Sequence, residues 1–137
     1  MKIFKTQIIV RGYELDSYNH VNNAVYLQYF EHARWEVMRE LNILNYFADH
    51  GLLMVVTESN VRYMREACLF DELLIETTFE VKQPYLVFHQ KIRNVQTGNS
   101  VTRATVKTLL IDKMKIPQEL PEIFFHVDPT TNDYGKK

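Results

Sequence analysis

The sequence predicts an α+β domain in which an antiparallel five-stranded sheet wraps around one long central helix. Two observations carry this prediction: one stretch has the hydrophobic period of a helix, and most of the chain after residue 52 has the period of strands. The 137 residues have the length of one domain, which we assign to residues 1–127, with residues 128–137 as a flexible tail. A content of 46% hydrophobic and 24% charged residues excludes a disordered chain.

The helix is predicted over residues 23–41. Polar residues 14–23 precede it and end in asparagines, which are typical of the start of a helix. From Ala24 onward, apolar residues recur at spacings of three and four, so they form one stripe, and polar residues cover the opposite side. The stripe consists of Tyr26, Leu27, Phe30, Ala33, Val37, Met38 and Leu41.

Alternation between apolar and polar residues predicts strands on both sides of the helix. The first strand spans residues 4–10, and the clearest alternation spans residues 73–82. A three-residue turn at 97–99 joins the last two strands with Ile92 opposite Ala104, because a register shifted by one residue would place charges in the core. The other face, which is either solvated or binds an anionic ligand or an acidic partner, then carries His89, Lys91 and Lys107, with Arg93 opposite Arg103. One helix covers only one face of the sheet, so self-association is expected.

The charge balance argues against nucleic acid and membranes as partners. Lys and Arg number 16 against 17 Asp and Glu, and the longest apolar run, residues 52–56, is far too short to cross a bilayer.

Residues 1–5 lack the apolar segment of a signal peptide, and the single Cys68 cannot form an internal disulfide. We therefore expect a cytoplasmic protein with Cys68 in its core. The histidines lack the spacing of a metal site, so no metal is predicted.

The most concentrated group of polar residues, 13–23, lies directly before the predicted helix. A helix N-terminus presents unpaired N–H groups, which stabilise a carbonyl oxygen that gains negative charge during a reaction. Asp16 is placed to attack an acyl carbon or to activate water, with the N–H groups of residues 23–25 as an oxyanion site. The same residue types also serve as plain turn and helix-capping residues, and the residue pattern alone leaves both interpretations open.

Residues 13–31, which contain Asp16 and the sequence His-Val-Asn-Asn at 20–23, resemble the signature of hotdog-fold acyl thioesterases. The resemblance is strongest to the 4-hydroxybenzoyl-CoA thioesterase-like family and extends over residues 3–121. It implies a hotdog fold, hydrolysis of an acyl-CoA substrate to a free carboxylic acid and CoA, and no cofactor. It also implies active sites built at the interfaces of a homodimer, or of a homotetramer formed by two dimers.

The resemblance assigns a role to individual residues of this chain. Asp16 corresponds to the catalytic carboxylate, as general base or nucleophile, and His20 and Asn23 belong to the same catalytic group. The residues at the helix start are expected to bind substrate, Glu58 and Ser59 to reach the site from a partner subunit, and two arginines to meet the CoA phosphates. The expected substrate-binding residues are Asn22, Ala24, Val25, Tyr26, Glu58, Ser59, Arg62 and Arg65.

Two alternatives stay open at this point. Acyl-carrier-protein thioesterases share the Asp, His and Val-Asn-Asn spacing, although Tyr18 and Ala67 stand here where those enzymes have Asn and Cys. A non-hydrolytic acyl-CoA-binding or dehydratase-like hotdog protein also uses an Asp and a His, but the Asn-Pro between them is absent here. Asn19 replaces the glycine common in the family, so either the loop takes a different path or Asn19 adopts a positive φ.

Overall fold

A computed structural model describes residues 2–126 of the protein. Its elements in chain order are strand β1 (Phe4–Ile9), a 3-10 turn (Gly12–Glu14), helices α1 (Asn23–Glu40) and α2 (Leu44–Asp49), strands β2 (Leu53–Tyr63), β3 (Glu72–Lys82), β4 (Tyr85–Asn94) and β5 (Ser100–Ile111), and a second 3-10 turn (Glu122–Phe125). The strands form one antiparallel sheet in the order β1-β3-β4-β5-β2, and α1 packs on one of its faces. The predicted α+β class is confirmed. The predicted tail lies outside the described residues, and the domain boundary stays a prediction.

Helix α1 lies at the centre of the hydrophobic core. The predicted stripe is correct except that Leu27 is exposed and Tyr29 is buried beside it. Phe30 of α1 and Phe88 of β4 are the largest fully buried side chains, and each such burial stabilises the fold by roughly 1.5–3 kcal/mol. Within residues 2–126, no helix has the length and apolar character needed to span a membrane. The short helix α2, which follows α1 after a brief connection, was not predicted.

The hairpin of β4 and β5 differs from the predicted register by two residues. Ile92 lies opposite Thr102 rather than opposite Ala104. The connection between the two strands is residues 95–99 rather than the three residues predicted. It is longer because the Asn94 side chain accepts hydrogen bonds from two backbone N–H groups of the connection, at 2.9 and 3.1 Å, and so shapes a wider turn.

A shift of two residues keeps every side chain on its predicted face, because side chains alternate with a period of two. The outer face of the sheet, which α1 does not cover, therefore carries the predicted basic residues. The predicted opposition of Arg93 and Arg103 is wrong. Arg103 lies between two other cations, opposite Lys91 of β4 on one side and opposite Arg62 of β2 on the other. These three cations line a depression of about 700 Å³.

The prediction that Cys68 lies in the core is wrong, because its side chain is exposed. The neighbouring Ala67 takes the buried position. Its N–H donates a hydrogen bond to the Tyr26 hydroxyl at 3.0 Å, and its carbonyl accepts one from the N–H of Val21 at 2.9 Å. These bonds hold Ala67 against the core, so the next residue along the chain faces outward.

A buried carboxylate connects the chain after β1 to helix α1. The Glu14 carboxylate accepts hydrogen bonds from the Tyr29 hydroxyl and from the Arg11 N–H, both at 2.8 Å, and pairs with the Arg11 guanidinium at 2.5 Å. Its backbone carbonyl accepts a hydrogen bond from the N–H of Asn22 at 2.9 Å. Burial acts to raise the pKa of Glu14, but the hydrogen bonds from Arg11 and Tyr29 outweigh burial and hold that pKa below its usual value. Glu14 thus fixes the loop before α1.

We expect Glu14→Gln to lower the free energy of unfolding near neutral pH by about 1–3 kcal/mol, because the amide cannot replace the carboxylate in all of its bonds. A carboxyl group with a lowered folded-state pKa stabilises the fold above its unfolded pKa, here near 4.5. That contribution is lost as the pH falls through the folded-state pKa. Urea unfolding at neutral pH and in steps below about pH 5 should therefore show a steeper acid loss in the wild type than in the variant.

The matched control is Glu119→Gln, because Glu119 is an exposed carboxylate. Its acid response should equal that of the wild type. Parallel pH profiles for wild type and Glu14→Gln would show that the Glu14 carboxylate contributes no ionisation-dependent stability.

Candidate active site

A cleft of about 320 Å³ opens at the N-terminus of α1. It is bounded by the loop before α1, the first turn of α1, the end of β2 and the segment that follows β2. Its charged or titratable lining residues are Asp16, His20, Arg65 and Glu66, and the others are Val21, Asn23, Tyr26, Tyr63 and Met64. The structure thus brings together residues that are up to 50 positions apart in the sequence, at the place where the polar cluster predicts chemistry.

The loop before α1 holds the Asp16 carboxylate by one oxygen. Oδ1 accepts hydrogen bonds from the N–H groups of Tyr18 at 2.9 Å and His20 at 3.3 Å. The Asp16 N–H donates to the carbonyl of His20 at 2.8 Å and closes the loop. Asn19 adopts a φ of 64°, so it takes the left-handed conformation that glycine would adopt readily. The second oxygen, Oδ2, accepts no hydrogen bond from residues 2–126 and is available to water or a substrate.

The start of α1 narrows the predicted oxyanion site to one backbone donor. The side chain of Asn22 accepts a hydrogen bond from the N–H of Ala24 at 2.9 Å, and its carbonyl accepts one from the N–H of Val25 at 2.8 Å. Two of the three predicted donors are therefore occupied by the helix cap. The Asn23 N–H has no acceptor within residues 2–126, and Asn23 lines the cleft together with Asp16. A residue with a free N–H group and a residue with a carboxylate thus line the same cleft.

Two tyrosines attach this helix end to the segments around it. The Tyr63 hydroxyl, from β2, donates a hydrogen bond to the carbonyl of Asn23 at 3.0 Å. The Tyr26 hydroxyl accepts one from the N–H of Ala67 at 3.0 Å, and burial raises the pKa of Tyr26. The two rings pack edge to face with centroids 5.6 Å apart. The Asn23 N–H is therefore held in place by contacts on both sides of the cleft.

Polar side chains with ionisable groups surround the mouth of the cleft. The His20 Nε2 lies 3.7 Å from the Glu66 carboxylate, and both side chains are partly exposed. Arg65 donates a hydrogen bond to the carbonyl of Ser100 at 2.9 Å, so its guanidinium is tied to the start of β5. The mouth is thus polar and open to water, and the cation of Arg65 stands at its edge.

Several of the expected substrate-binding residues lie outside the cleft. Glu58 is on the outer face of the sheet, where it pairs with Lys107 at 3.7 Å, and Arg62 lies on that face as well. Ala24 and Val25 follow Asn23 on α1 without lining the cleft. For these residues, as for those that do line the cleft, a functional role stays a prediction. No group of three metal-ligating side chains occurs within residues 2–126.

A groove runs along the boundary between α1 and the edge strand β2. We call it the α1–β2 groove. Its first part, of about 230 Å³, is lined by Leu27, Gln28, Phe30, Glu31, Arg34, Val56, Ser59 and Val106. Its second part, of about 560 Å³, shares three of those residues and is otherwise mainly apolar, with Trp35, Met38, Leu44, Phe47, Leu52, Leu53 and Met54 among its walls. Ser59 therefore lies in the groove rather than in the cleft.

Comparison with known proteins gives close relatives for most of the chain. It is 42% identical over 109 residues to the long-chain acyl-CoA thioesterase FadM of Escherichia coli, a match that covers 79% of this chain and 83% of that protein. It is 34% identical over 115 residues to the acyl-CoA thioesterase YbgC of Haemophilus influenzae, covering 78% of this chain and 83% of the relative.

The fold and a family model agree with these relatives. The crystal structure of YbaW, a probable thioesterase from Escherichia coli, superposes with a TM-score of 0.78 at 34% identity, covering 84% of this chain and 88% of that one. The model of the thioesterase-like superfamily matches residues 10–124. The resemblance read from residues 13–31 is thereby confirmed, and the chain belongs to the thioesterase-like superfamily with its hotdog fold.

Proposed function

We propose that this protein hydrolyses acyl-CoA thioesters to a free carboxylic acid and CoA. The observation that carries the proposal is that one cleft is lined both by Asp16, whose carboxylate has an open oxygen, and by Asn23, whose N–H is unpaired within residues 2–126. The names of its relatives, acyl-CoA thioesterases at 42% and 34% identity, support the same substrate class. Water is the only other reactant, so the reaction requires no cofactor.

An acyl-CoA substrate and the free thiol of Cys68 are both compatible with the cytoplasm, which is the location we propose.

In the proposed mechanism, the thioester carbonyl accepts the hydrogen bond of the Asn23 N–H. That donor lies at the positive end of the α1 dipole, so it stabilises the negative charge that develops on the oxygen. Asp16 acts through its open oxygen, either by removing a proton from water that attacks the acyl carbon or by attacking that carbon itself. The bond between carbon and sulfur then breaks and the thiolate takes up a proton. In the first route this step gives the free acid directly, whereas in the second route water hydrolyses the anhydride formed with Asp16, which releases the acid and restores the carboxylate. His20, beside Glu66, lies at the same mouth.

The surroundings of the cleft provide separate places for the two ends of the substrate. The α1–β2 groove begins at Leu27, about one helical turn beyond Asn23, and has mostly apolar walls, so it suits the acyl chain. The open, polar mouth with Arg65 suits the phosphate-bearing CoA end. The thioester between them then lies against Asp16 and Asn23.

We expect Asp16→Asn to lower kcat by about 10²–10⁴-fold, the range typical of losing a general acid or base. Asparagine retains a side-chain oxygen that can accept the hydrogen bonds from Tyr18 and His20, so the loop is preserved while the basic oxygen is lost. Thiol release from a panel of acyl-CoAs of different lengths measures the effect. Asp49→Asn, an exposed aspartate in α2, is the matched control and should retain wild-type rates.

The same assay separates the alternatives to this function. Faster turnover of acyl chains on acyl carrier protein than on CoA would identify the carrier protein as the substrate. Saturable acyl-CoA binding without thiol release would favour a non-hydrolytic hotdog protein. An unchanged rate in Asp16→Asn would rule out the proposed role of this carboxylate.

We also propose that the functional unit is a homodimer formed through the edge strand β2. This strand has 11 residues and pairs only with β5, so the hydrogen-bonding groups of its other edge have no strand partner within residues 2–126. Apolar side chains are exposed along that edge and along α1 beside it, among them Leu27, Trp35, Leu53 and Val56. A second copy that pairs with β2 would cover these side chains and close the α1–β2 groove.

We expect Trp35→Glu to weaken the dimer, because Trp35 is 56% exposed beside the β2 edge and the variant would bury a charge there. The matched control is Ile9→Glu, since Ile9 is 54% exposed on β1 at the opposite edge of the sheet. Light scattering coupled to size-exclusion chromatography should give a dimer for the wild type and a larger monomer fraction for Trp35→Glu. A monomeric wild type would disprove the dimer, and equal dissociation of both variants would disprove this interface.

A further inference from the structure

One cationic side chain is among the residues that line the mostly apolar α1–β2 groove. Arg34, in the fourth turn of α1, lines both parts of the groove. Its Nη1 donates a hydrogen bond to the Oε1 of Gln90 at 3.0 Å, and it forms no ion pair within residues 2–126. Burial lowers the pKa of Arg34 below its usual value, although a guanidinium remains charged in proteins. Arg34 is only half-buried, makes one side-chain hydrogen bond within residues 2–126 and lines both parts of the groove, so its other donors are accessible to a molecule bound there.

The position of this guanidinium is fixed from below by the sheet. Gln90 of β4 is 2% exposed, and its Nε2 donates hydrogen bonds to the carbonyl of Phe30 at 3.0 Å and to the Thr77 hydroxyl at 3.2 Å. Because both partners act as acceptors, the amide nitrogen must face them and the amide oxygen must face Arg34. The guanidinium is therefore anchored beside the groove, at the level of α1 between Phe30 and Arg34.

An unsubstituted hydrocarbon chain in the groove would interact unfavourably with the Arg34 guanidinium. It would displace the water that the free N–H donors bind and offer no acceptor in return, which is unfavourable for buried donors. An oxygen on the chain at this level would replace that water. Glu31 lines both parts of the groove as well, so a carboxylate on the chain would meet like charge. A hydroxyl group avoids this conflict, because it accepts from Arg34 and can donate to Glu31.

We propose that Arg34 is a specificity-determining residue that selects hydroxylated acyl chains, an inference that rests on the proposed thioesterase function. The chain position follows from the geometry. Phe30 and Arg34 lie 7 and 11 residues beyond Asn23, or roughly 10–16 Å along the helix axis at about 1.5 Å per residue. An extended chain advances about 1.2 Å per bond, so the hydroxyl is expected about 8–13 bonds from the thioester.

The test compares matched substrates within one protein, so that the fraction of active enzyme cancels. We would measure kcat/KM for 12-hydroxydodecanoyl-CoA against dodecanoyl-CoA, and for 6-hydroxyhexanoyl-CoA against hexanoyl-CoA. The hydroxyl of 6-hydroxyhexanoyl-CoA is too close to the thioester to reach Arg34. The wild type should prefer the hydroxylated 12-carbon chain by at least about 10-fold and show no preference between the 6-carbon chains. Arg34→Met should lower the 12-carbon ratio by about 10-fold or more, mainly through kcat/KM of the hydroxylated chain.

Arg39→Met is the matched control, because Arg39 lies on the same helix, is exposed and pairs with Glu36 outside the groove. It should leave both ratios unchanged. An equal 12-carbon ratio in the wild type and Arg34→Met would overturn the proposal while leaving thioester hydrolysis intact. No thiol release from any of the four substrates would overturn the proposed function itself.

A second measurement needs only the wild type, in case Arg34→Met does not fold once Gln90 loses its donor. A series of ω-hydroxyacyl-CoAs from 6 to 16 carbons, each compared with its unsubstituted counterpart, should give a preference that peaks between about 8 and 13 carbons. A ratio that is flat, or that rises steadily with chain length, would overturn the proposal.

Discussion

Attachment of the α1 N-terminus to the rest of the domain is the constraint on which the other features depend. The Glu14 carboxylate binds the hydroxyl of Tyr29, and the backbone of Ala67 binds the hydroxyl of Tyr26. Both tyrosines are buried, so a displaced helix would leave their hydroxyls without partners. Apolar packing is non-directional and would tolerate a small slide of α1 along the sheet, whereas these hydrogen bonds would not. The same contacts set the distance between the Asp16 loop and the first turn of the helix.

The anchored helix has a polar cleft at its N-terminus and a mostly apolar groove along its side. At the N-terminus, His20, Arg65 and Glu66 keep the cleft polar, so water reaches the Asp16 carboxylate. Along the groove the walls are mostly aliphatic and aromatic, and Arg34, held by Gln90, and Glu31 are the charged exceptions. A thioesterase needs both environments, because the reaction consumes water while most of an acyl chain is stabilised by leaving it. A hotdog fold provides them side by side, since one helix end and one helix flank belong to the same layer.

The fold class could be predicted from the sequence because the spacing of apolar residues and the polar residues at the ends of helices and strands are local signals. The helix at 23–41 and the strand at 73–82 follow from side-chain spacing alone, and both are present within one or two residues. The register of the last hairpin was not readable, because a side-chain hydrogen bond from Asn94 sets the length of the turn. The exposure of Cys68 was equally hidden, since it depends on backbone bonds of the preceding residue to distant segments.

The candidate site was predictable in part for the same reason. Asp16 and Asn23 are close in sequence, so a local motif places both, whereas the contribution of Tyr63 comes from strand pairing that brings β2 to the helix end. Glu14 and Arg34 read as ordinary surface residues because a carboxylate or guanidinium carries no mark of burial in the sequence. In the function proposed above, catalysis rests on a short contiguous segment, and chain selection rests on residues spread over α1 and three strands. The proposal therefore implies that substitutions in the groove change which acyl chain is accepted without moving the groups that cleave the thioester.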